Sequence, residues 1–517
     1  MSTSDPIAAL GREFVGYIAD INPGELDEAL ADHQHHRNDE ARAAVALCDV
    51  FLREAPANVY EHAAAMRPGD LQQSNGNELR RQAGHDVPSV QMDDGLLSTL
   101  ATIARDVFPA LLLPAARDPA SVASLVVPSH RLIVRSVDAH PLVADFVAQI
   151  RGDVLGELLA GDTSPRFFSF SAGLGGAVAL DSLAVALIGS ACARARLLHT
   201  ALTMERLIVQ LTTLLDDLRA IGRHESIMVP VAVALQGLAI EPGARFQLPW
   251  GLLRPMDQGA LNAVGDAFQA SGSVFVTNVD TSVAVGNASA PDGPPSPRTA
   301  AVRAFNADLD TRLHKLSLTL LLAQDEPRIA AVPTRIVAVT PLFGVGWGAR
   351  GHTPEPVLGR QSTLASHSAP SVESAANLVD SRYAPTLAIP TRRLTSALSA
   401  RHDVEDSLVD AVVAWESLFA GTDVGELSFR IAAAMAWLLG TDADDRLAIH
   451  REISQLYGLR SRILHRGRAG QDISTQRDRS VELGIRALGS LLREQPDLVA
   501  DENRGKKLIM RGEAPDA

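Results

Sequence analysis

Cysteine is nearly absent from this chain: Cys48 and Cys192 are the only two in 517 residues, and both sit in apolar stretches of helical spacing. Two thiols are too few for a disulfide framework or a thiolate zinc site, and their scarcity fits a reducing cytoplasm. Aromatic residues make up 4% of the sequence, which disfavours extended stacking surfaces for single-stranded nucleic acid. Positive charge is also in short supply. A formal net charge of −14 argues against broad, nonspecific binding to polyanions, so any such contact has to be local. Long hydrophobic runs are missing as well. The nearest is 172–188, which is short and interrupted by Asp181, so a buried helix is expected there rather than a membrane span. The opening Met1-Ser2-Thr3-Ser4-Asp5-Pro6 has neither a basic segment nor an apolar core, and no signal peptide is expected. The glycines at 173–176 are followed by no Gly-Lys-Ser/Thr, nothing of the form G-x-G-x-x-G appears, and no internal repeat is visible.

What is present is 46% hydrophobic residues, enough to bury the cores of two to four domains in a chain of this length. Richness in Ala, Arg and Asp with little Lys suggests a high-GC bacterial source. We read a multidomain, mainly α protein with an α+β middle module. Residues 1–222 form a mainly helical N-terminal region: helical spacing over 6–58, a polar stretch over 68–94, then further helices ending in a long amphipathic run over 197–218. Within it Phe167-Phe168-Ser169-Phe170 and the glycines at 173–176 read as a turn or a helix–helix contact. Residues 225–350 form the α+β module, of unknown role. Ile227-Met228-Val229-Pro230-Val231-Ala232-Val233, Val274-Phe275-Val276-Thr277 and Ile336-Val337-Ala338-Val339 read as strands, turns are expected at Pro242-Gly243 and Trp250-Gly251, and a helix spans 298–323. Loops rich in Pro, Gly or Ser cover 286–297 and 350–373. Residues 351–398 are expected to be a linker, and 497–517 a polar tail.

Between 400 and 496 the spacing predicts four amphipathic helices. The first carries Leu408, Ala411, Val412, Trp415, Leu418 and Phe419 and ends at Gly421. The second, over 426–439, carries Leu427, Ile431, Ala434, Met435 and Leu438 and stops at Gly440. A third opens near Asp444 with Leu447, Ile449, Ile453, Leu456, Leu459 and Ile463. The fourth follows Asp472 with Val481, Leu483, Ile485, Leu488, Leu491 and Leu492, before Pro496. Short polar turns between four such helices predict an antiparallel bundle. The third helix ends in Leu456-Tyr457-Gly458-Leu459-Arg460-Ser461-Arg462-Ile463-Leu464-His465-Arg466-Gly467. This is a local basic knot around a side chain that titrates near neutrality, the combination that gripping or cleaving a phosphodiester requires. The plainer reading is that Arg462, Arg466 and Arg468 complement a helix C-terminus, with Gly467 as its left-handed cap.

The ordered set Ala414-Trp415-Glu416, then Glu426-Leu427-Ser428-Phe429-Arg430, then Leu456-Tyr457-x-Leu459-Arg460-Ser461-x-x-x-His465-x-Gly467 resembles the Apea-like branch of the HEPN domains, over about a fifth of the chain. The resemblance implies a metal-independent endoribonuclease without a cofactor, acting on RNA as a homodimer, with Arg460 and His465 of both protomers in one groove. His465 would be the general acid/base for attack by the ribose 2′-hydroxyl. Arg460 would hold the phosphate, where a guanidinium fork is better than an ammonium. Ser461 and Glu416 would support them, Glu416 by pairing with or orienting Arg460, and Arg462, Arg466 and Arg468 would supply further phosphate contacts. Products would carry a 2′,3′-cyclic phosphate and a 5′-hydroxyl. The resemblance further implies a role in bacterial anti-phage or stress defence, with the first 390 residues as sensor or regulator. Rival readings are a catalytically inactive module that binds nucleotide or RNA, and a purely structural dimerisation bundle.

Geometry sets a condition on that reading. Positions five apart on a helix lie about 140° around the axis from one another. Either the helix unwinds near His465, helped by Gly467 and Gly470, or the two side chains converge across a dimer axis. Trp415, Trp437 and Tyr457 are expected as core or interface aromatics, and His450 as an ordinary, partly exposed residue. Three other features have bland defaults: His33-Gln34-His35-His36 lacks the spacing of a metal site, Phe343-Gly344-Val345-Gly346-Trp347-Gly348 reads as a turn, and Arg392-Arg393 either frames a groove or caps the linker.

Overall fold

The structure, a computed structural model, describes residues 5–31, 36–54, 74–113, 137–138, 140–153, 166–199, 201–264, 271–287, 299–323, 331–342, 350–351, 362–399, 401, 403–421, 426–466 and 472–512. The described residues are mostly helical, with the strands concentrated in the middle of the chain. The N-terminal region holds α1 (Pro6–Leu10), α2 (Arg12–Ala19), α3 (Leu26–Ala31), α4 (His36–Glu54), α5 (Asn75–Gln82), α6 (Gly95–Leu112) and α7 (Leu142–Ile150). Helical spacing places Leu10, Phe14, Val15 and Ile18 together in the core. Helix α6 is the one described helix long and apolar enough to cross a membrane, yet 72% of that window is buried inside the protein. It carries a buried Asp106 that meets His140 Nε2 at 3.2 Å.

Two expectations for this region are corrected. The Phe-rich segment is neither a turn nor a helix contact. It forms β1 (Arg166–Phe170), which pairs antiparallel with β2 (Gly175–Val178) and, on its other edge, with β8 (Val283–Asn287). Phe168 and Phe170 alternate inward. A Cβ at Gly175 would lie 2.9 Å from the Phe167 ring, which would have to shift to admit it. The run over 197–218 is not one helix. It is divided between α8 (Leu183–Leu198) and α9 (Met204–Gly222), because Thr203 caps α9 by accepting from the Arg206 amide at 3.3 Å. Helix α8 is buried along nearly its whole length, arginines included, although the buried segment predicted at 172–188 begins in β2 rather than in a helix.

The middle of the chain forms an antiparallel sheet in the order β10-β9-β3-β7-β6-β5: β3 (Ile227–Gln236), β5 (Phe246–Leu248), β6 (Gly251–Pro255), β7 (Ser273–Thr281), β9 (Val332–Ala338) and β10 (Arg350–Gly351). Strand β3 is central and covered on both faces, which is why Val229, Val231, Ala232, Val233, Ala234 and Leu235 are an unbroken buried run. The separate β4 (Leu238–Ile240) pairs in parallel with β11 (Ser362–Leu364). Helices α10 (Gln258–Val264) and α11 (Thr299–Ala323) pack against α8 and against β7, respectively.

The segment expected as a linker is a correction too. It holds α12 (Ala369–Arg382) and α13 (Ala388–Ser399), which pack on α11 and on the helices that follow. Those are α14 (Val404–Phe419), α15 (Leu427–Leu439), α16 (Ala443–Arg466) and α17 (Ser474–Glu494), mutually packed in the described residues. Asp403 caps α14 through the amides of Glu405 and Asp406, and Gly440 follows α15. The predicted apolar faces are buried apart from Leu427, which is half-buried, and Leu447, which is 48% exposed. The polar tail is in part a helix, α18 (Arg504–Gly512), whose Leu508 and Arg504 are buried and which packs on α14 and α15.

Candidate functional site

Helix α16 buries Ile449, Ile453, Leu456, Leu459 and Ile463. Tyr457 and Arg460, three positions apart, therefore share the flank of that face, next to the last turn of α14. There Glu416 receives both. Its Oε1 accepts from the Tyr457 hydroxyl at 2.7 Å, and its Oε2 accepts from Arg460 Nη2 at 3.3 Å. The Arg460 guanidinium lies 5.7 Å from the Tyr457 ring centre. Both charged side chains are largely sheltered, 22% exposed for Arg460 and 19% for Glu416. Burial, and then the bond to the Glu416 carboxylate, push the Tyr457 hydroxyl up to about 12. Arg460 Nε is buried and has no hydrogen-bond partner among the described residues. Tyr457, expected as a core or interface aromatic, does pack against the core and in addition bonds Glu416; its three-residue offset from Arg460 was the available signal for that second contact.

His465 stands apart from this clamp. Helix α16 is unbroken through Arg466, so it does not unwind before His465. His465 thus lies about 140° around the axis from Arg460, on the side opposite the buried face. It is exposed, as are its neighbours Arg462 and Leu464, the last at 54%, and Ser461 is half-buried. One protomer brings Arg460, Glu416 and Tyr457 together and leaves His465 outside that group. Gly467, Arg468, Gly470 and the side chain of Arg466 lie outside the described residues.

The remaining sequence candidates fall as follows. Trp415 is fully buried, and Trp437 lies under the Arg446 guanidinium at 3.9 Å. His450 is half-buried, edge-on to Phe429 at 5.2 Å. Arg393 donates to Asp410 at 2.7 Å, an internal contact between α13 and α14, whereas Arg392 is exposed. His33, Gln34, His35, the side chain of His36 and residues 343–348 lie outside the described residues. Among the described residues no group of three or more His, Cys, Asp or Glu side chains is placed to hold a metal ion.

No protein-family model, curated protein or solved structure matches this chain. The resemblance of residues 400–496 to HEPN domains rests on their sequence alone.

Proposed function

We propose that α14–α17 form a HEPN-type, metal-independent endoribonuclease domain whose working site is assembled from two copies of the chain. The observation that carries this is the division of labour along α16: a clamped arginine at position 460 and a solvent-facing imidazole at 465. The proposed reaction is transesterification. The His465 imidazole takes the proton from the ribose 2′-hydroxyl, the 2′ oxygen attacks phosphorus, and the bond to the 5′ oxygen breaks as a second His465, from the other copy, returns a proton to it. The products are a 2′,3′-cyclic phosphate and a 5′-hydroxyl. By the family resemblance Arg460 steadies charge on the phosphate oxygens, for which its guanidinium has to exchange Glu416 for the phosphate and turn towards the strip that carries His465. Arg462 adds a further cation at the surface.

A surface for the second copy lies along the same helix. Ser454, Gly458 and Ser461 follow one another at helical spacing towards His465, and a Cβ on Gly458 would meet nothing within 4 Å. Glycine inside a helix is destabilising by roughly 1 kcal/mol relative to alanine. A low, smooth strip there suits close approach of another α16 and brings two His465 side chains near one another. By family analogy the role is in bacterial defence, with the first 390 residues as sensor or regulator.

One observation favours a second reading. Within one protomer Arg460 is neutralised by Glu416 and points away from His465, as a non-catalytic binding module would allow. The test is RNA cleavage in EDTA by wild type and His465→Ala, with end-group analysis of the products. The nuclease reading expects cyclic phosphate ends and a loss of about 10²–10⁴-fold in the variant. RNA binding that depends on Arg460, with no cleavage by either protein, would replace it with the binding module.

A further inference from the structure

A second concentration of positive charge lies where α8 ends, and the proposed nuclease does not use it. The carbonyls of Arg196, Leu197, Leu198, His199 and Ala201 face three guanidinium groups from three other places in the chain. Arg254, on β6, donates through Nη1 to the carbonyls of Arg196 at 2.6 Å, Leu197 at 3.0 Å and His199 at 3.0 Å. Arg245, just before β5, donates through Nη1 to Leu198 at 3.0 Å. Arg206, in the first turn of α9, donates to Ala201 at 2.7 Å. Because all three are anchored on one short stretch of backbone, they converge around His199.

A helix C-terminus attracts cations, but it presents only about half a negative charge. The acids nearby do not make up the difference. Asp257 chelates Arg254 Nη2 at 2.7 and 2.6 Å. Glu13 is occupied by Arg196 at 2.6 Å and by the Leu202 amide. Among the described residues no carboxylate is in ion-pair contact with Arg206 or Arg245. Arg245 Nη2 is buried with no acceptor among the described residues. Burial first, then Arg254, hold Arg245 down to about 10, far below the usual arginine range. His199 is lowered by burial and by Arg206, Arg245 and Arg254 together. Three guanidinium groups against one carboxylate and a helix end leave a surplus of between one and two positive charges. Asp257 offsets Arg254 and the helix end offsets about half of a second charge, so Arg206 and Arg245 together are undercompensated.

We propose that Arg206, Arg245 and His199 line a binding site for a dianionic phosphate group, of the kind a phosphate monoester carries. All three side chains are partly open to solvent, so a ligand can reach them. Guanidinium forks match phosphate oxygens in shape, and a dianion matches the surplus in charge better than a monocarboxylate does. The free Nη2 of Arg245 supplies a donor that has no other use. A phosphate held there links the turn between α8 and α9 to the β5–β6 end of the sheet, and so ties the helical N-terminal region to the middle module. This inference stands independently of the nuclease proposal.

Calorimetric titration of the full-length protein at constant ionic strength tests it, with inorganic phosphate and AMP as probes and acetate as the monocarboxylate. Wild type binds phosphate or AMP saturably and acetate at least about tenfold more weakly; tighter binding of AMP than of phosphate marks a nucleotide as the source. Arg245→Gln and Arg206→Gln each weaken phosphate by about tenfold or more, the size of one charged hydrogen bond. Arg206→Gln, at the rim, keeps the test informative if Arg245→Gln does not fold. Arg460→Ala leaves the binding unchanged. No saturable heat up to about 10 mM phosphate, a Kd weaker than about 3 kcal/mol of binding, overturns the proposal. So does binding that both glutamine variants retain, or binding that Arg460→Ala abolishes.

Discussion

Two arginine sites in this molecule are built on opposite terms. Around Arg460, charge is balanced: one guanidinium, one carboxylate and a tyrosine hydroxyl that completes the carboxylate's bonding. Around Arg245, it is not: three guanidinium groups share one carboxylate and a row of carbonyls. A balanced cluster holds its shape without a ligand. An unbalanced one is held in shape by the fold and gains when an anion arrives. The same residue type is a strut in the first case and a receptor in the second.

The largest expected contrast is in stability. Glu416→Ala leaves the Tyr457 hydroxyl and Arg460 without their partner and is expected to cost about 1–3 kcal/mol in urea unfolding. Arg245→Gln, measured without phosphate, is expected to change stability by less than about 0.5 kcal/mol, because relief of repulsion from Arg254 offsets the lost bond to Leu198. Equal losses would erase the distinction between the two sites. Gly458→Ala comes next. It is expected to stabilise the folded chain by up to about 1 kcal/mol, since the added methyl meets open space. RNA cleavage should fall in the same variant if two α16 helices meet there, and unchanged cleavage would remove that surface from the site.

The smallest effect is in alkaline titration. With its pKa raised from 10 to about 12, Tyr457 holds its proton more tightly folded than unfolded. Its contribution to stability is therefore complete below about pH 10 and is lost as the pH rises towards 12. Tyrosinate absorbance should lose its late component in Tyr457→Phe, and Glu416→Gln should move that component back towards an ordinary tyrosine.

How much of this was legible in advance follows from which physical signal each part uses. The helices α14–α17 were readable because Leu, Ile and Val recur at 3.6-residue spacing and the stops, Gly440 and Pro496, are explicit. Leu447 is exposed because it lies two positions before Ile449, about 160° around the helix from it, and so faces away from the buried side. Helices α12 and α13 were missed because their buried faces hold few large apolar residues, Val372, Val379 and Leu394 among small or polar ones such as Ala375, Ala376, Thr391, Ala397 and Ser399, behind a Ser- and Pro-rich approach. The strands β1 and β2 were missed because their glycines, read locally, signal a turn, whereas their partner β8 lies more than a hundred residues away. Buried arginines such as Arg194, Arg196 and Arg254 are invisible to any rule that keeps charge outside. The candidate residues at 416, 460 and 465 and the roughly 140° between the last two could be read from the sequence, but the Tyr457–Glu416 bond and the continuity of α16 through His465 needed coordinates.

The parallel pairing of β4 with β11 bears on how the chain is made. Leu238 waits for Ser362, more than a hundred residues further along. During translation the ribosome must deliver that late strand before the edge formed by β4 is closed, and contacts of such long range are slow to form. Helices α14–α17 emerge later still, after the segment that completes the middle of the protein. A gene cut at residue 350 would therefore give an upstream half with an open strand, prone to self-association, and a downstream half without α11 to cover α12 and α13.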